Sequence, residues 1–168
     1  MLETAAKAPT PRASRPHAPN YGIKAANEGN GLLPWSWAEE RLHNCRNYYL
    51  STASADGRPH VMPIWGLWLD QKFFFSSGKD SRKAKNLAAN PHCSVATGNA
   101  DEAVILEGIV SPLRDPAVLE RFEQKVAEKY QFDMGPYAEE PVYMLEPQRA
   151  FGLIEKDFVG SATRWTWE

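Results

Sequence analysis

Residues 57–91 read GRPHVMPIWGLWLDQKFFFSSGKDSRKAKNLAANP. Between Pro59 and Leu69 both alternations are largely apolar. His60, Met62, Ile64, Gly66 and Trp68 share one face, and Val61, Pro63, Trp65, Leu67 and Leu69 share the other. A strand of this kind lines an interior on one side and meets a second surface on the other. Pro63 has no N–H to offer a ladder, which predicts an edge or a bulge at that point. Asp70-Gln71 turns the chain into a second strand, Lys72 to Ser77. Gly78 breaks it, and Asp80-Ser81 supplies a cap. Ser81 to Ala89 then predicts a short helix with Ala84, Leu87 and Ala88 inward, stopped at Asn90-Pro91.

Working upstream, NYYLSTAS (47–54) is a strand, joined to the next by an Asp56-Gly57 hairpin turn. Before it, Ser36 and Glu39 form a capping box that opens a short helix over Trp37 and Leu42. Residues 1–34 carry five prolines and three glycines, and read as an extended arm, neither helix nor strand. Its first 20 residues are expected to be mobile unless a partner surface holds them, and its later half to wrap a partner copy. Downstream, His92–Thr97 and Ala103–Pro112 are strands, and Asp115-Pro116 starts a helix reaching Tyr130. Val142–Leu145 and Arg149–Glu155 are two strands either side of Pro147, and the alternating tail from Thr163 adds one more. The fold class is mainly β with short helices, a closed barrel of six or seven antiparallel strands spanning 35–168.

Composition narrows the function. The 168 residues suit one domain, and a net charge of −2 excludes a general attraction to nucleic acid. No apolar run is long enough to span a membrane, and the N-terminus lacks an apolar leader, so a cytoplasmic location is expected. Cys45 and Cys93 read as reduced thiols, and the four scattered histidines give no metal-binding spacing. The common nucleotide-binding and hydrolase motifs are absent.

The chemistry is concentrated at Ser76-Ser77-Gly78-Lys79-Asp80-Ser81-Arg82-Lys83. A strand ends in hydroxyls, a glycine permits a turn, and a helix begins with two cations. Amides at a helix N-terminus attract anions, Ser76, Ser77 and Ser81 add hydrogen bonds, and Arg82 and Lys83 add charge. Cations in a first helical turn oppose the helix dipole, a conflict that a bound phosphate resolves. The other reading is a solvated helix that happens to begin Ser-Arg-Lys.

Residues 57–91 resemble the flavin-binding core of the pyridoxamine 5′-phosphate oxidase-like family, and the resemblance extends less sharply over Leu32–Pro112 and the tail. It implies a split β-barrel that binds FMN, or alternatively the deazaflavin coenzyme F-420, at the interface of a homodimer. Arg82 and Lys83 match the pair that grips the cofactor phosphate, with Ser76 and Ser77 beside it. Met62, Pro63, Ile64 and Trp65, with His60, match the strand that runs along the ring. The tail, with Arg164 and Trp165, is placed near the ring. The Arg-x-His substrate clamp of the true oxidase is missing, and Ala103 falls near the family's glutamine contact. The chain looks closer to the short reductase-type members.

Three functions follow as expectations. The first is an FMN-dependent oxidoreductase acting on a small conjugated substrate. The second is a deazaflavin-dependent reductase, with Lys79 and Lys85 near enough to serve its longer anionic tail. The third is a non-catalytic carrier of a flavin, haem or tetrapyrrole. A flavin or deazaflavin performs hydride transfer itself, so the lack of a triad, paired carboxylates or a metal cluster suits the first two, and the lack of a side-chain catalyst suits the carrier equally.

Overall fold

The computed structural model describes residues 10–167. In chain order its elements are β1 (Arg12–Ser14), α1 (Trp35–Asn44), β2 (Tyr48–Ala53), β3 (Pro59–Ile64), β4 (Leu67–Leu69) and β5 (Lys72–Ser76). Then follow α2 (Arg82–Ala89), β6 (His92–Thr97), β7 (Glu102–Pro112), α3 (Pro116–Tyr130), β8 (Val142–Ile154), α4 (Phe158–Ser161) and β9 (Thr163–Thr166). Every strand pairing is antiparallel, in the order β1-β9-β8-β7-β6-β2-β3, with β5 joined to β8 and β4 to β5.

The split lies at β8. One of its edges pairs with β7 along its length, while the other pairs first with β5 (Val142–Leu145) and then with β9 (Gly152–Arg149). One branch therefore curls round through β5 and β4, and the other runs on to β9 and β1. The interior is filled by Tyr48, Leu50, Phe73, Phe75, Val95, Val104, Leu106, Leu145 and Trp165, all fully buried. A second cluster under α3 joins Leu67 and Phe74 to Phe122, Val126 and Tyr130.

The expected closed barrel of six or seven strands is instead an open sheet of nine. The single strand expected over Pro59–Leu69 breaks at Trp65-Gly66, and β3 is left as the edge that Pro63 calls for. The cause is side-chain competition for the backbone. Gly66 N–H donates to Tyr130 Oη at 2.9 Å, and Lys129 Nζ donates to Gly66 O at 3.1 Å. With those groups satisfied from α3, no ladder is needed to close the seam.

Three local readings also change. α1 begins at Trp35 with Pro34 as N-cap and no side-chain cap, because Trp35 must turn inward to meet Trp68, Trp165 and Trp167 at 5.9, 5.3 and 5.0 Å between ring centroids. Glu39, freed from the expected capping box, accepts from Trp68 Nε1 at 3.4 Å. On α2, Ala88 is exposed and Asn86 is buried, donating to Thr52 Oγ1 at 3.0 Å. Val142–Ile154 is one strand, and Pro147 sits at a bulge where register shifts between Glu107 and Gly108. A Cβ on Gly108 would lie 2.1 Å from Glu146 O, so only glycine allows the strands to approach there.

The arm folds against its own chain. Arg12–Ser14 pairs with Arg164–Thr166, Arg15 Nη1 donates to Ala162 O at 2.9 Å, and Lys24 N–H donates to Val159 O at 2.9 Å. A strand of three residues carries too little periodicity to be read from sequence. The mobility expected of the first residues concerns, for 1–9, a segment outside the described residues.

The buried titratable groups give stability a definite pH dependence. Lys129 donates to Tyr48 Oη at 2.9 Å, and burial pushes its pKa down from 10.5 to about 8. Between those values the unfolded chain holds a proton that the folded one has released, so stability rises with pH. Burial pushes the Cys93 thiol up from 9.0 to about 12, a contribution present below pH 9 and lost on climbing towards 12. Burial also raises Tyr48, Tyr130 and Tyr143 above 10.0. Urea midpoints should therefore rise from pH 8 to 9, level off as the lysine and thiol oppose each other, and fall above pH 10. Lys129→Met should abolish the rise; a rise that survives this substitution would assign it elsewhere.

Candidate functional site

The β3–β4 break opens one wall of a cleft of about 460 Å³. That wall consists of Pro63, Ile64, Trp65 and Gly66. The end of β5 and the start of α2 contribute Ser76, Ser77, Gly78 and Lys83. α3 and the segment after it supply Phe122, Val126, Phe132, Met134, Tyr137 and Glu140. The volume falls in the range of about 300–1,000 Å³ usual for small-molecule sites.

One end is aromatic. Trp65, 42% exposed, stacks on Tyr130 with centroids 4.6 Å apart and planes 13° from parallel. Phe132 meets the Trp65 edge at 5.4 Å and stacks on Tyr137 at 5.5 Å. The other end is polar. Ser81 caps α2, its Oγ accepting from Ala84 N–H at 3.1 Å and lying 3.0 Å from Ser77 Oγ. The first turn of α2 holds no acid, and its leading amides have no partner within the helix. Ser76 Oγ donates to Pro141 O at 3.3 Å, and Lys79 N–H donates to Glu140 Oε2 at 2.6 Å.

Of the residues singled out from sequence, Pro63, Ile64, Trp65, Ser76, Ser77 and Lys83 meet in this cleft. Ser81 stands behind them as the cap, and Arg82 is exposed at the helix start without lining the cleft. His60 and Met62 precede the lining residues on β3; His60 Nδ1 is buried with no hydrogen-bond partner, and Met62 is exposed. Arg164 and Trp165 do not line the cleft. Arg164 Nε donates to Ser14 Oγ at 3.2 Å, and Trp165 is fully buried against Trp35. Sequence reasoning missed the wall from α3 onward and Glu140. The aromatic spacing of Phe132, Met134 and Tyr137 was a usable signal for the wall; nothing local marks Glu140.

A family model for pyridoxamine 5′-phosphate oxidase matches residues 37–153, from α1 through most of β8. The chain belongs to this family. A pyridoxine/pyridoxamine 5′-phosphate oxidase of Anaeromyxobacter dehalogenans (strain 2CP-C) is 37% identical over 76 residues, 44% of this chain and 38% of that protein. The chain thus spans under half the length of the curated oxidase it matches. Among solved structures, the conserved hypothetical protein Rv2991 of Mycobacterium tuberculosis aligns with a TM-score of 0.66 at 20% identity, over 74% of this chain and 86% of that one. An F420 reductase aligns with a TM-score of 0.56 at 21% identity, over 67% and 94%. The haem storage protein HutZ of Vibrio cholerae aligns at 0.55 and 18%, over 66% and 87%. Members of the pyridoxamine 5′-phosphate oxidase-like fold thus carry names from oxidase and reductase to haem storage, and at these identities the likeness establishes the split barrel alone.

Among the described residues no group of three or more His, Cys, Asp or Glu is placed to hold a metal, both cysteines are free, and no helix is long and apolar enough to cross a membrane.

Proposed function

We propose that this member of the family is an oxidoreductase that binds FMN in the cleft and acts on a small conjugated substrate. The observation that carries the reading is the join between two unlike ends: a cationic, acid-free helix start and an aromatic wall beside an edge strand. The leading amides of α2, Lys83 and the serine hydroxyls suit a phosphate, with Arg82 adding charge from outside. β3 is paired only with β2, so along Met62–Trp65 its outer backbone groups are available to the heteroatoms of a flat ring. Trp65, Phe132 and Tyr137 cover apolar ring surface and keep water out. When bound, the flavin supplies hydride transfer, and the chain's part is to bind, orient and shield. Glu140 at the polar end opposes any anion there, and the longer polyanionic tail of a deazaflavin more than a single phosphate, so FMN is the preferred cofactor.

The same reading includes a homodimer. On the outward face of the sheet one rung runs Pro63–Tyr49–Ala96–Ile105–Phe151, apolar across five strands. Val61, at 58% exposed, and Ile109, at 38%, extend the patch. A second copy is the occupant that suits a face carrying its own Glu107–Arg149 ion pair beside apolar rungs.

Titration with FMN, followed by tryptophan quenching and flavin absorbance, should show tight binding by a dimer. Lys83→Ala should weaken FMN about 10- to 100-fold, the equivalent of one charge-assisted hydrogen bond, and leave riboflavin unchanged. Absence of FMN binding, or an Lys83→Ala variant that binds as well, would end the proposal. Tight binding without turnover in a reductase assay would make the protein a carrier.

A further inference from the structure

Glu140 stands on the polar end of the cleft in a way the proposed cofactor does not explain. Its Oε2 accepts from Lys79 N–H at 2.6 Å and lies 3.8 Å from where a Cβ on Gly78 would be. The carboxylate therefore rests on the Gly78-Lys79 turn that joins β5 to α2. This is the same turn whose amides and neighbouring Lys83 make an anion cradle.

The contact has a chain of connections behind it. Glu140 N–H donates to Tyr137 O at 2.9 Å, which ties it to the end of the short 3₁₀ turn Gly135–Tyr137. The next residue, Pro141, takes hydrogen bonds at its carbonyl from Ser76 Oγ and Ser77 N–H, both at 3.3 Å. Residues 135–141 are thus a strap buckled to the end of β5 at Ser76, Ser77 and Lys79. Just ahead of the strap, Phe132 touches Trp65, and within it Tyr137 stacks on Phe132. The buckle and the aromatic wall are one piece of chain.

We infer that Glu140 is a tethered carboxylate that competes with the cofactor phosphate for the Lys79 amide, so that phosphate binding unbuckles the strap and resets the aromatic wall over Trp65. Two anions cannot share the Lys79 amide without mutual repulsion, and the free phosphate carries more charge than a carboxylate. The inference rests on the proposed phosphate site but adds to it. A phosphate would report its arrival to the opposite, aromatic end of the cleft through Glu140, and a flavin lacking phosphate would leave the strap fastened.

The experiment compares FMN with riboflavin on the wild type, Glu140→Gln and Glu140→Ala. Removing the competing charge should strengthen FMN about tenfold, near 1.4 kcal/mol, and leave riboflavin unchanged, so the FMN-to-riboflavin affinity ratio rises. Hydrogen exchange of amides in 132–141 should increase when FMN binds the wild type and stay constant with riboflavin. An unchanged ratio in both variants would overturn the inference, and weaker FMN binding would show that Glu140 holds the cofactor instead. A wild type that binds FMN in a Lys83-dependent way while the ratio is unmoved loses only this inference. A wild type that binds no FMN loses the cofactor reading with it.

Discussion

Gly66→Ala should cost about 3 kcal/mol of stability, the upper end of what overpacking a core usually brings. A Cβ at this position would lie 2.1 Å from Phe73 Cζ and 2.7 Å from Cε1. The ring cannot retreat: Phe73 is fully buried and meets Tyr48 at 4.8 Å and Phe75 at 6.3 Å between centroids. Nor can the backbone shift freely, since Gly66 N–H is held by Tyr130 and its carbonyl by Lys129. For a chain of this size the loss corresponds to a fall in Tm of about 6–12 °C. Gly57→Ala is the control. Nothing lies within 4 Å of its Cβ, and only its φ of +82° resists a side chain, at a cost of about 1–2 kcal/mol. Phe73→Leu introduced with Gly66→Ala should restore part of the loss, because the two positions share one contact. If Gly66→Ala proved no more harmful than Gly57→Ala, the seam would not depend on this close approach. The same substitution should weaken FMN binding, since Trp65 and Ile64 take their places from the break beside them.

That seam also shows which kinds of information a sequence exposes. The β5–turn–α2 unit was legible because its signals are local: Gly78 after a strand, Ser81 as cap, Asn90-Pro91 as stop. So were Pro63 as an edge signal and Asp115 as the cap of α3. Closure was not legible, because the break at Gly66 is decided by a hydroxyl 64 residues away. The misplaced α1 cap has a similar origin. Ser36 and Glu39 satisfy a local rule, but burying Trp35 among three other tryptophans outweighs one cap. Asn86 took the inward place expected of Ala88 because Thr52 offers it a buried partner. At the site, residues contributed by consecutive elements were found, whereas Glu140 and the wall after α3 arrive from 60 residues further on.

The family resemblance places both Trp165 of the tail and Trp65 of the strand near the ring, and their burial sets them apart. Trp165 is fully buried in the main core, and its ring lies so close to Gly152 that a Cβ there would be 2.6 Å from Cη2. Its indole Nε1 is buried without a partner, which marks the ring as space-filling. Trp165→Ala should therefore cost about 3–5 kcal/mol, the range for deleting a large aromatic from a core. Trp165→Phe keeps a ring in place and removes the orphaned N–H, so it should remain folded and bind FMN within about twofold of the wild type. Trp65 is the reverse case. It is 42% exposed and supported by Tyr130 on one face, so Trp65→Ala should cost only about 1 kcal/mol of stability. Its loss from the cleft wall should instead weaken FMN about tenfold or more, as removing an aromatic anchor does. The two effects are read separately, stability from urea midpoints and affinity from flavin titration of folded protein. If Trp165→Phe weakened FMN as much as Trp65→Ala, β9 would have to reach the ring, and the cleft beside β3 would be the wrong site.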